Sequence, residues 1–376
     1  MRYMNSKRLK YLVYMVSVII LILVVFDTFI TIRIHKQLVK AVSKERRWPA
    51  GAYIYDKSIG FDFASNISGP INNKNFYVKS HQLGFRIGES EDPDSYKPGG
   101  LLSLGCSFTY GDQVEAEETF TRLAADGLNI PAYNYGICSF SYIHALLKAQ
   151  KLKDHGVLDK LQPKYVVLGC WTGLPERSRS PSPPLASRSI PLPAAYLTKD
   201  GSDLKIQYPP NTHNVFSMIE LYRKEGARLS FKKFVKIFIA VPRVIYLWVN
   251  NNRLAKELKS GTFKNDVSDY EVYDFYFSGI ENVFSDYGSQ IIVLFMPNKN
   301  NEPPDKALKK ALADHPGIIF ADGLQAIQKY GVTSRDYVGI HPKSAAHKAY
   351  AKEIIDGIAA LNEELLHRIE KLEAKD

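Results

Sequence analysis

Two short segments of the chain carry residue types that together could transfer an acyl group. Ser107 stands in a small-residue turn, Gly105-Cys106-Ser107, that follows the apolar run at residues 101–104. His341 stands far along the chain in a Gly-Ile-His-Pro segment, ahead of the last helical stretch. A serine hydroxyl is a weak nucleophile until a base takes its proton, and histidine suits that task near neutral pH. The two segments predict a nucleophile and its general base, if the fold brings them together.

Each of these residues also has an ordinary structural explanation. A serine at a turn often caps the following helix, and any one of the nine histidines is more often a core or surface residue than a catalyst. Cys106 and Cys138 are rival nucleophiles, although free cysteines are commonly buried and inert. The three cysteines lack the spacing of a zinc or redox site, and no phosphate-binding glycine loop is present. No metal or other cofactor is therefore expected.

Apolar runs and amphipathic stretches alternate around these residues, which predicts a parallel sheet with right-handed helical crossovers. The predicted strands are 101–104, 132–135, 165–168, 291–296 and 318–320, and the predicted helices are 116–126, 142–153, 272–287, 306–314 and a long one from Ser344. Open α/β sheets bind their ligands at the carboxyl ends of the strands, so Ser107 and His341 are both expected at that edge. A helix beginning at Ser107 would add free N–H groups that favour an oxyanion.

The amino-terminal region predicts a membrane anchor. Tyr11–Ile32 is an apolar run of 22 residues with Asp27 as its only charge, which is long enough to span a bilayer as a helix. No small-residue cleavage site follows, so the anchor is expected to be retained. Basic residues stand on both sides of the run, which leaves its orientation open. The net charge of +10 fits a membrane lipid surface better than nucleic acid, for which no binding motif is present.

Other segments depart from the strand–helix alternation. They are a basic helix at 33–48, small strands and turns at 51–88, a loop rich in proline and serine at 178–193, a hairpin at 195–208 that turns at Asp200-Gly201, and a basic helical stretch at 215–260. The last of these either lies on a membrane surface or packs on the sheet with a basic outer face, and the sequence leaves both open.

Several of these segments together resemble the SGNH (GDSL-like) hydrolase family. They are Gly105-Cys106-Ser107-Phe108-Thr109-Tyr110-Gly111 for its first block, with Cys106 where aspartate is usual, Asn134-Tyr135-Gly136-Ile137-Cys138-Ser139 for its second, Leu168-Gly169-Cys170-Trp171-Thr172 for its third, and Gly339-Ile340-His341-Pro342 for its histidine block. Leu83-Gly84-Phe85-Arg86 is similar to a segment often found before this domain. The resemblance covers roughly residues 80–177 and 265–360.

The resemblance implies a three-layer α/β/α fold around a parallel sheet, with Ser107 as nucleophile and His341 as general base and then general acid. The backbone N–H groups of Ser107 and Ser139 would hold the oxyanion, with Gly136 as a further substrate-binding position in the second block. Ser139 stands where the family usually has glycine, and a backbone N–H group survives that change.

Two departures from the family pattern bear on the site. The third block normally supplies an asparagine to the oxyanion hole, whereas this chain offers Trp171 and Thr172, of which Thr172 could donate in its place. The family's aspartate normally stands two or three residues before the histidine. The nearest carboxylate here is Asp336, five residues before His341. Asp336 orients His341, or else the site is a Ser-His dyad.

Together with the anchor, the resemblance implies a membrane-anchored serine esterase or O-acyltransferase. Its expected substrate is an acyl ester, with acetyl as the expected group, of a surface polysaccharide or other glycan. A membrane-bound acyl donor is a candidate partner protein, and the catalytic domain is expected on the extracytoplasmic (periplasmic) side. A plain esterase or lipase is a second interpretation. The alternative is a catalytically impaired domain that binds a glycan or serves a membrane complex.

The expected organisation has five segments. They are the tail and anchor at 1–35, the basic helix and small-strand lead-in at 36–90, the two parts of the catalytic domain at 91–177 and 265–376, and an insertion at 178–264.

Overall fold

The computed structural model describes residues 10–11, 13–19, 21–22, 52–70, 76–180, 194–208 and 265–363, and the backbone of 364–373. The basic helical stretch at 215–260 lies outside these residues, as does most of the proline-rich loop. Of the predicted anchor, the described residues between 11 and 22 are helical and residues 23–32 lie outside the description. Within the described part of the chain, no helix combines the length and the apolar character needed to cross a membrane.

The strands of the described residues begin with a lead-in group and continue into the sheet. In chain order they are β1 Tyr53–Asp56, β2 Gly60–Phe63, β3 Ser68–Pro70, β4 Tyr77–Ser80, β5 Arg86–Ile87, β6 Leu101–Gly105, β7 Ala132–Gly136, β8 Tyr165–Cys170, β9 Tyr196–Asp200, β10 Asp203–Gln207, β11 Gln290–Phe295, β12 Ile319–Asp322, β13 Tyr337–Val338 and β14 His341–Pro342.

The helices lie mainly between the sheet strands. They are α1 Ser107–Tyr110, α2 Phe120–Gly127, α3 Tyr142–Asp154, α4 Val157–Leu161, α5 Leu174–Ser178, α6 Asp269–Phe284, α7 Lys306–Asp314, α8 Gly323–Lys329 and α9 Ser344–Glu373. Short 3-10 turns occupy Ala116–Glu118, Ser285–Tyr287 and Ser334–Asp336.

Among the described residues, the central sheet has eight strands in the order β12-β11-β8-β6-β7-β5-β4-β3. Strands β12, β11, β8, β6 and β7 are parallel, as the sequence predicts. All residues of β6 and β8 are buried, which is typical of parallel strands covered on both faces. The chain is therefore a mixed α/β protein with a large central sheet.

The strand order reverses at β6, which fixes where a ligand is expected. The chain passes from β6 to β7 on one side and then crosses to β8 on the other side of β6. Helices that follow such neighbouring strands leave toward opposite faces, which opens a crevice at the carboxyl ends of these strands. The loop after β6 begins with Cys106 and Ser107.

Helices cover the sheet in two groups. Helix α2 packs against α9, and α9 packs against α8 and the β11–β12 side of the sheet. Helix α3 packs against α6, which packs against α7. Right-handed crossovers in opposite directions place these groups on opposite faces. The three-layer arrangement expected from the sequence is thus present in the described residues.

Two details differ from the sequence-based expectations, and a third agrees with them. The lead-in strands β3 to β5 join the central sheet, because β5 pairs antiparallel with β7 at Arg86 and Asn134. The predicted helix at 116–126 breaks at Thr119, whose hydroxyl caps α2. The predicted hairpin at 195–208 is present as β9 and β10, with its turn at residues 201–202.

Candidate active site

Ser107 opens the single-turn helix α1, directly after the buried strand β6. Cys106 precedes it in an extended conformation and stands at the N-cap of α1. Within the stretch 101–111, Ser107 is the one residue that is not buried. The turn therefore presents this side chain, and not that of Cys106, to a substrate at the carboxyl edge of the sheet.

His341 reaches the same edge from a short hairpin before the last helix. Strand β14 begins at His341 and pairs with β13, and Gly339 adopts a left-handed conformation with φ of 64° in the turn between them. His341 Nε2 lies 2.9 Å from Ser107 Oγ, although 234 residues separate the two in sequence. The expected hydrogen bond between the candidate nucleophile and base is present.

Aromatic side chains pack beside this pair. The ring of Phe108 meets the ring of His341 edge to face, with centroids 5.5 Å apart. The ring of Trp171 packs on Phe108 at 5.4 Å. Such packing restricts the orientation of the imidazole ring. Trp171, which stands where the SGNH pattern has asparagine, therefore contributes an apolar wall and not an amide donor.

The backbone N–H groups of Ser107 and Ser139 are the candidates for holding an oxyanion. Neither the N–H of Ser107 nor that of Ser139 donates a hydrogen bond to another described residue. Ile137 N donates to Gly105 O at 3.0 Å, which fastens the Ser139 loop to the end of β6. Ser139 is buried with φ of 74°. Glycine, the usual residue here in the SGNH pattern, adopts this left-handed conformation most readily.

Gly136, expected to contact substrate, packs closely against α1. Its N–H donates to the side-chain oxygen of Asn134 at 2.9 Å, so this donor is already used. A Cβ atom at Gly136 would lie 2.3 Å from the backbone nitrogen of Tyr110. The absence of a side chain lets the end of β7 approach α1 closely.

Thr172, expected to complete the oxyanion hole, has a different partner. Its hydroxyl donates to a carboxylate oxygen of Glu302 across a long 3.5 Å contact. Glu302 also accepts a hydrogen bond from Asn298 at 3.0 Å, in the loop after β11. The expectation that Thr172 replaces the missing asparagine is therefore not supported by the hydrogen bonds of its hydroxyl.

Asp336, expected to orient His341, caps a 3-10 turn instead. Its Oδ2 atom accepts hydrogen bonds from Thr333 N at 2.8 Å and Thr333 Oγ1 at 3.1 Å. The backbone oxygen of Asp336 accepts from Lys343 N at 2.8 Å, which extends the pairing of β13 and β14. The structure brings Ser107 and His341 together but directs the Asp336 carboxylate to Thr333.

The cysteines differ in their access to this edge. Cys106 and Cys170 are buried, and burial raises the pKa of Cys170 to about 12. Cys138 is partly exposed, with its sulfur 3.8 Å from Asp112 Oδ1. Burial argues against Cys106 as the nucleophile, since a substrate cannot reach a buried thiol.

Arg86 and Asn134 belong to two of the family-like segments, but the sequence did not indicate a role for either side chain. Both side chains donate to backbone carbonyls at and beyond the end of α1. The partners of Arg86 lie 24 to 28 residues away in sequence, so no local sequence pattern predicts these hydrogen bonds.

No protein-family model and no curated protein matches the sequence. Among solved structures, the chain is similar to LAE5, an alpha/beta hydrolase from the metagenome of Lake Arreo, with 11% identity, a TM-score of 0.36, and coverage of 71% of this chain and 98% of that one. It is also similar to a variant of Axe2, an acetyl xylan esterase from Geobacillus stearothermophilus, with 11% identity, a TM-score of 0.32, and coverage of 70% and 97%. A third similar structure is the catalytic domain of the Streptococcus pneumoniae peptidoglycan O-acetyltransferase OatA, with 11% identity, a TM-score of 0.29, and coverage of 71% and 96%.

Proposed function

We propose that this chain is a serine esterase or O-acyltransferase in which Ser107 is the nucleophile and His341 is the general base. The observation that carries the proposal is the 2.9 Å hydrogen bond between Ser107 Oγ and His341 Nε2. The bond lies at the carboxyl edge of a parallel sheet, next to the reversal of strand order where ligands bind in such folds. A nucleophile within hydrogen-bond reach of its base is the arrangement that acyl transfer through a serine requires.

The reaction proceeds in two halves. His341 Nε2 takes the proton of Ser107 as Oγ attacks the acyl carbonyl, and the N–H groups of Ser107 and Ser139 stabilise the oxyanion. The histidine then gives the proton to the leaving alcohol, which leaves an acyl group on Ser107. In the second half, His341 takes a proton from water or from an acceptor hydroxyl, whose oxygen attacks the acyl-serine. The bond between the acyl group and Oγ then breaks, and His341 returns the proton to Ser107 Oγ. Water gives an esterase and a sugar hydroxyl gives a transferase.

The proposed substrate is an acetyl or similar small acyl ester of a surface polysaccharide or other glycan. The resemblance of the sequence blocks to SGNH hydrolases supports this class, and the acyl donor is proposed to come from a membrane-bound partner protein. Residues 11–32 are proposed to anchor the chain, with the catalytic domain on the extracytoplasmic side. The exposed apolar side chains of Tyr11, Val13 and Tyr14 in the helical turns at the start of this run support the anchor.

Hydrolysis of p-nitrophenyl acetate by the full chain in detergent, with and without added oligosaccharides, tests the proposal. Ser107→Ala and His341→Ala should each lower turnover by about 1,000-fold or more, because each removes a member of a unit that acts together. Cys138→Ala is the matched control and should stay within about threefold of wild type, since its thiol takes no part in this mechanism. Equal turnover in wild type and Ser107→Ala would show that the serine mechanism is wrong.

A glycan-binding accessory domain is the second candidate. The hydrogen bonds of Asp336 to Thr333 and the replacement of the third-block asparagine by Trp171 favour it. Calorimetric titration with acetylated and deacetylated oligosaccharides separates the two functions. Binding by a chain that turns over no acyl ester supports the accessory domain, whereas turnover that depends on Ser107 supports the enzyme.

A further inference from the structure

We propose that Arg86 is a positioning residue that, together with Asn134, holds the helix bearing Ser107 by binding the carbonyl groups at and beyond its carboxyl end. This inference rests on the proposed role of Ser107 as nucleophile. It gives the lead-in segment, which precedes the α/β domain in sequence, a direct part in the geometry of the site.

Helix α1 cannot hold its own conformation. It contains one turn, and forming the first turn of a helix fixes several backbone dihedral angles in return for few hydrogen bonds. Tyr110 N donates to Cys106 O, and Gly111 N and Asp112 N both donate to Ser107 O. The carbonyl groups at the end of the turn have no partners within it and need donors from elsewhere.

Arg86 supplies most of these donors. Its Nη1 atom donates to Tyr110 O at 2.6 Å and to Gly111 O at 2.9 Å, and its Nη2 atom donates to Val114 O at 2.7 Å. The guanidinium also lies over the ring of Tyr110, 4.6 Å from its centroid. One rigid planar group therefore spans the end of α1 and the loop that follows it.

Asn134 completes the set from the neighbouring strand. Arg86 of β5 and Asn134 of β7 are paired across the sheet. The Asn134 side chain donates to Thr109 O at 2.9 Å and accepts from Gly136 N at 2.9 Å. Four carbonyl groups between residues 109 and 114 thus receive donors from two adjacent side chains.

The lead-in strands contact the next part of the chain as well. Tyr77 N, at the start of β4, donates to the carboxylate of Glu115 at 3.1 and 3.2 Å. The carboxylate of Glu117 packs against Gly88, where a Cβ atom would lie 1.9 Å from it. The segment 110–118, which directly follows the nucleophile helix, therefore lies against the lead-in over most of its length.

The energetics favour a positioning role over a purely stabilising one. Arg86 is 6% exposed, and no carboxylate of the described residues forms an ion pair with it. Its Nε atom is also buried and has no hydrogen-bond partner among the described residues. Burying a guanidinium against neutral carbonyl groups carries a large desolvation cost, which makes it a weak device for stability alone.

Two measurements on Arg86→Met, Arg86→Lys and a control test the proposal. The control is Lys148→Met, which removes another buried cation that joins the lead-in to the domain, through Asp62. Within the described part of the chain, Lys148 forms no hydrogen bond or ion pair with α1 or the segment 110–114. Asp62 keeps Lys151 as a partner at 2.9 Å. The measurements are the rate of labelling by a fluorophosphonate and the amide hydrogen exchange of residues 107–114.

Arg86→Met should slow labelling by about 100-fold, the effect expected for a displacement of about 1 Å at a reacting group. Arg86→Lys should fall between Arg86→Met and wild type, because an ammonium can reach some of the carbonyl groups but cannot span all of them. Lys148→Met should stay within about threefold of wild type. Exchange at residues 107–114 should quicken in both Arg86 variants and not in the control.

The outcomes separate the two proposals. If Arg86→Lys and Arg86→Met match the control in both labelling and exchange, Arg86 is a packing residue and the inference is wrong. If wild type is not labelled, the proposed serine mechanism fails, and the exchange data alone then decide whether Arg86 holds α1. If Arg86→Met does not fold, Arg86→Lys, which keeps the charge and the aliphatic stem, carries the test.

Discussion

The two residues of the candidate pair are held in different ways. Ser107 stands on a turn whose other residues are buried, and its carbonyl groups are bound by Arg86 and Asn134. His341 stands on a hairpin of two-residue strands, in which Val338 is 47% exposed. The nucleophile is fixed by the core, whereas the base depends on a short surface hairpin and on packing against Phe108.

This difference indicates where the site tolerates amino-acid substitution. Hydrogen bonds to backbone carbonyls in the interior allow little adjustment, because interiors are close-packed and unpaired polar groups are costly. A short hairpin can shift by small amounts without opening the core. Substitutions near Ser107 are therefore expected to cost more activity than equally close substitutions near His341.

Among residues outside the pair, Gly136→Ala should have an effect as large as that of Arg86→Met. The new methyl group would lie 2.3 Å from Tyr110 N, so α1 must move. We expect a loss of turnover of about 100-fold, as for other displacements of reacting groups, and a loss of about 1–3 kcal/mol in unfolding free energy from overpacking. Gly317→Ala is the control, since its nearest neighbour is 4.0 Å away and its turn has open space. Equal behaviour of the two variants would contradict the close fit of β7 to α1.

Asp336→Asn tests whether the Asp336 carboxylate orients His341. The Asp336 carboxylate bonds to Thr333, so its loss should lower turnover by less than about 10-fold, against about 10,000-fold for the aspartate of a catalytic triad. Steady-state kinetics on an acyl ester measure this effect. Thr333→Val removes a donor to the same carboxylate and should behave alike. A loss near the triad value for Asp336→Asn alone would show that its carboxylate turns to His341 during the reaction.

Thr172→Val should have a smaller effect still. The Thr172 hydroxyl donates to Glu302, so removing it should change turnover by less than about threefold, against about 100- to 1,000-fold for an oxyanion donor. Glu302→Gln, which keeps the shape of the partner, is the companion variant. A loss of 100-fold or more for Thr172→Val, with Glu302→Gln unchanged, would place this hydroxyl in the oxyanion hole.

The smallest expected effect is a loss of folding stability in acid. It arises from buried histidines, whereas His341 is partly exposed. Burial lowers the pKa values of His144 and His347 to about 3, aided by the nearby charges of Arg177 and Arg86 respectively. Below their ordinary pKa of 6.5 these rings take up protons in the unfolded chain but not in the folded one. The contribution of these neutral histidines to the free energy of unfolding is therefore fully present above pH 6.5. It falls on acidification toward pH 3, by about 1.4 kcal/mol per histidine at pH 5.5.

Denaturant unfolding at pH 7.5 and pH 5.5 measures this loss. His347→Gln can still accept the hydrogen bond that Phe120 N donates to the His347 ring at 3.2 Å, but it cannot titrate. The variant should lose about 1.4 kcal/mol less than wild type between the two pH values. The same pH dependence in both proteins would show that His347 is protonated in the folded state.

The sequence predicted the parallel strands, both ends of the Ser107–His341 pair and the β9–β10 hairpin, because local apolar runs and turn residues determine these features. It did not predict that β5 would join the sheet, because a two-residue strand leaves no period to detect. It also did not predict the hydrogen bonds that Thr172 and Asp336 form with Glu302 and Thr333. Such contacts depend on atomic distances and not on spacing along the chain.

The proposed function requires Ser107 to be an activated nucleophile with His341 as its base. Treatment with a fluorophosphonate followed by mass spectrometry of the digested chain tests it most directly, because such probes form adducts with activated serines. We expect one adduct on the peptide that carries Ser107, none on Ser107→Ala, and labelling slowed by about 1,000-fold or more in His341→Ala. No adduct on the folded wild-type chain, or an adduct on Cys138 in place of Ser107, would contradict it.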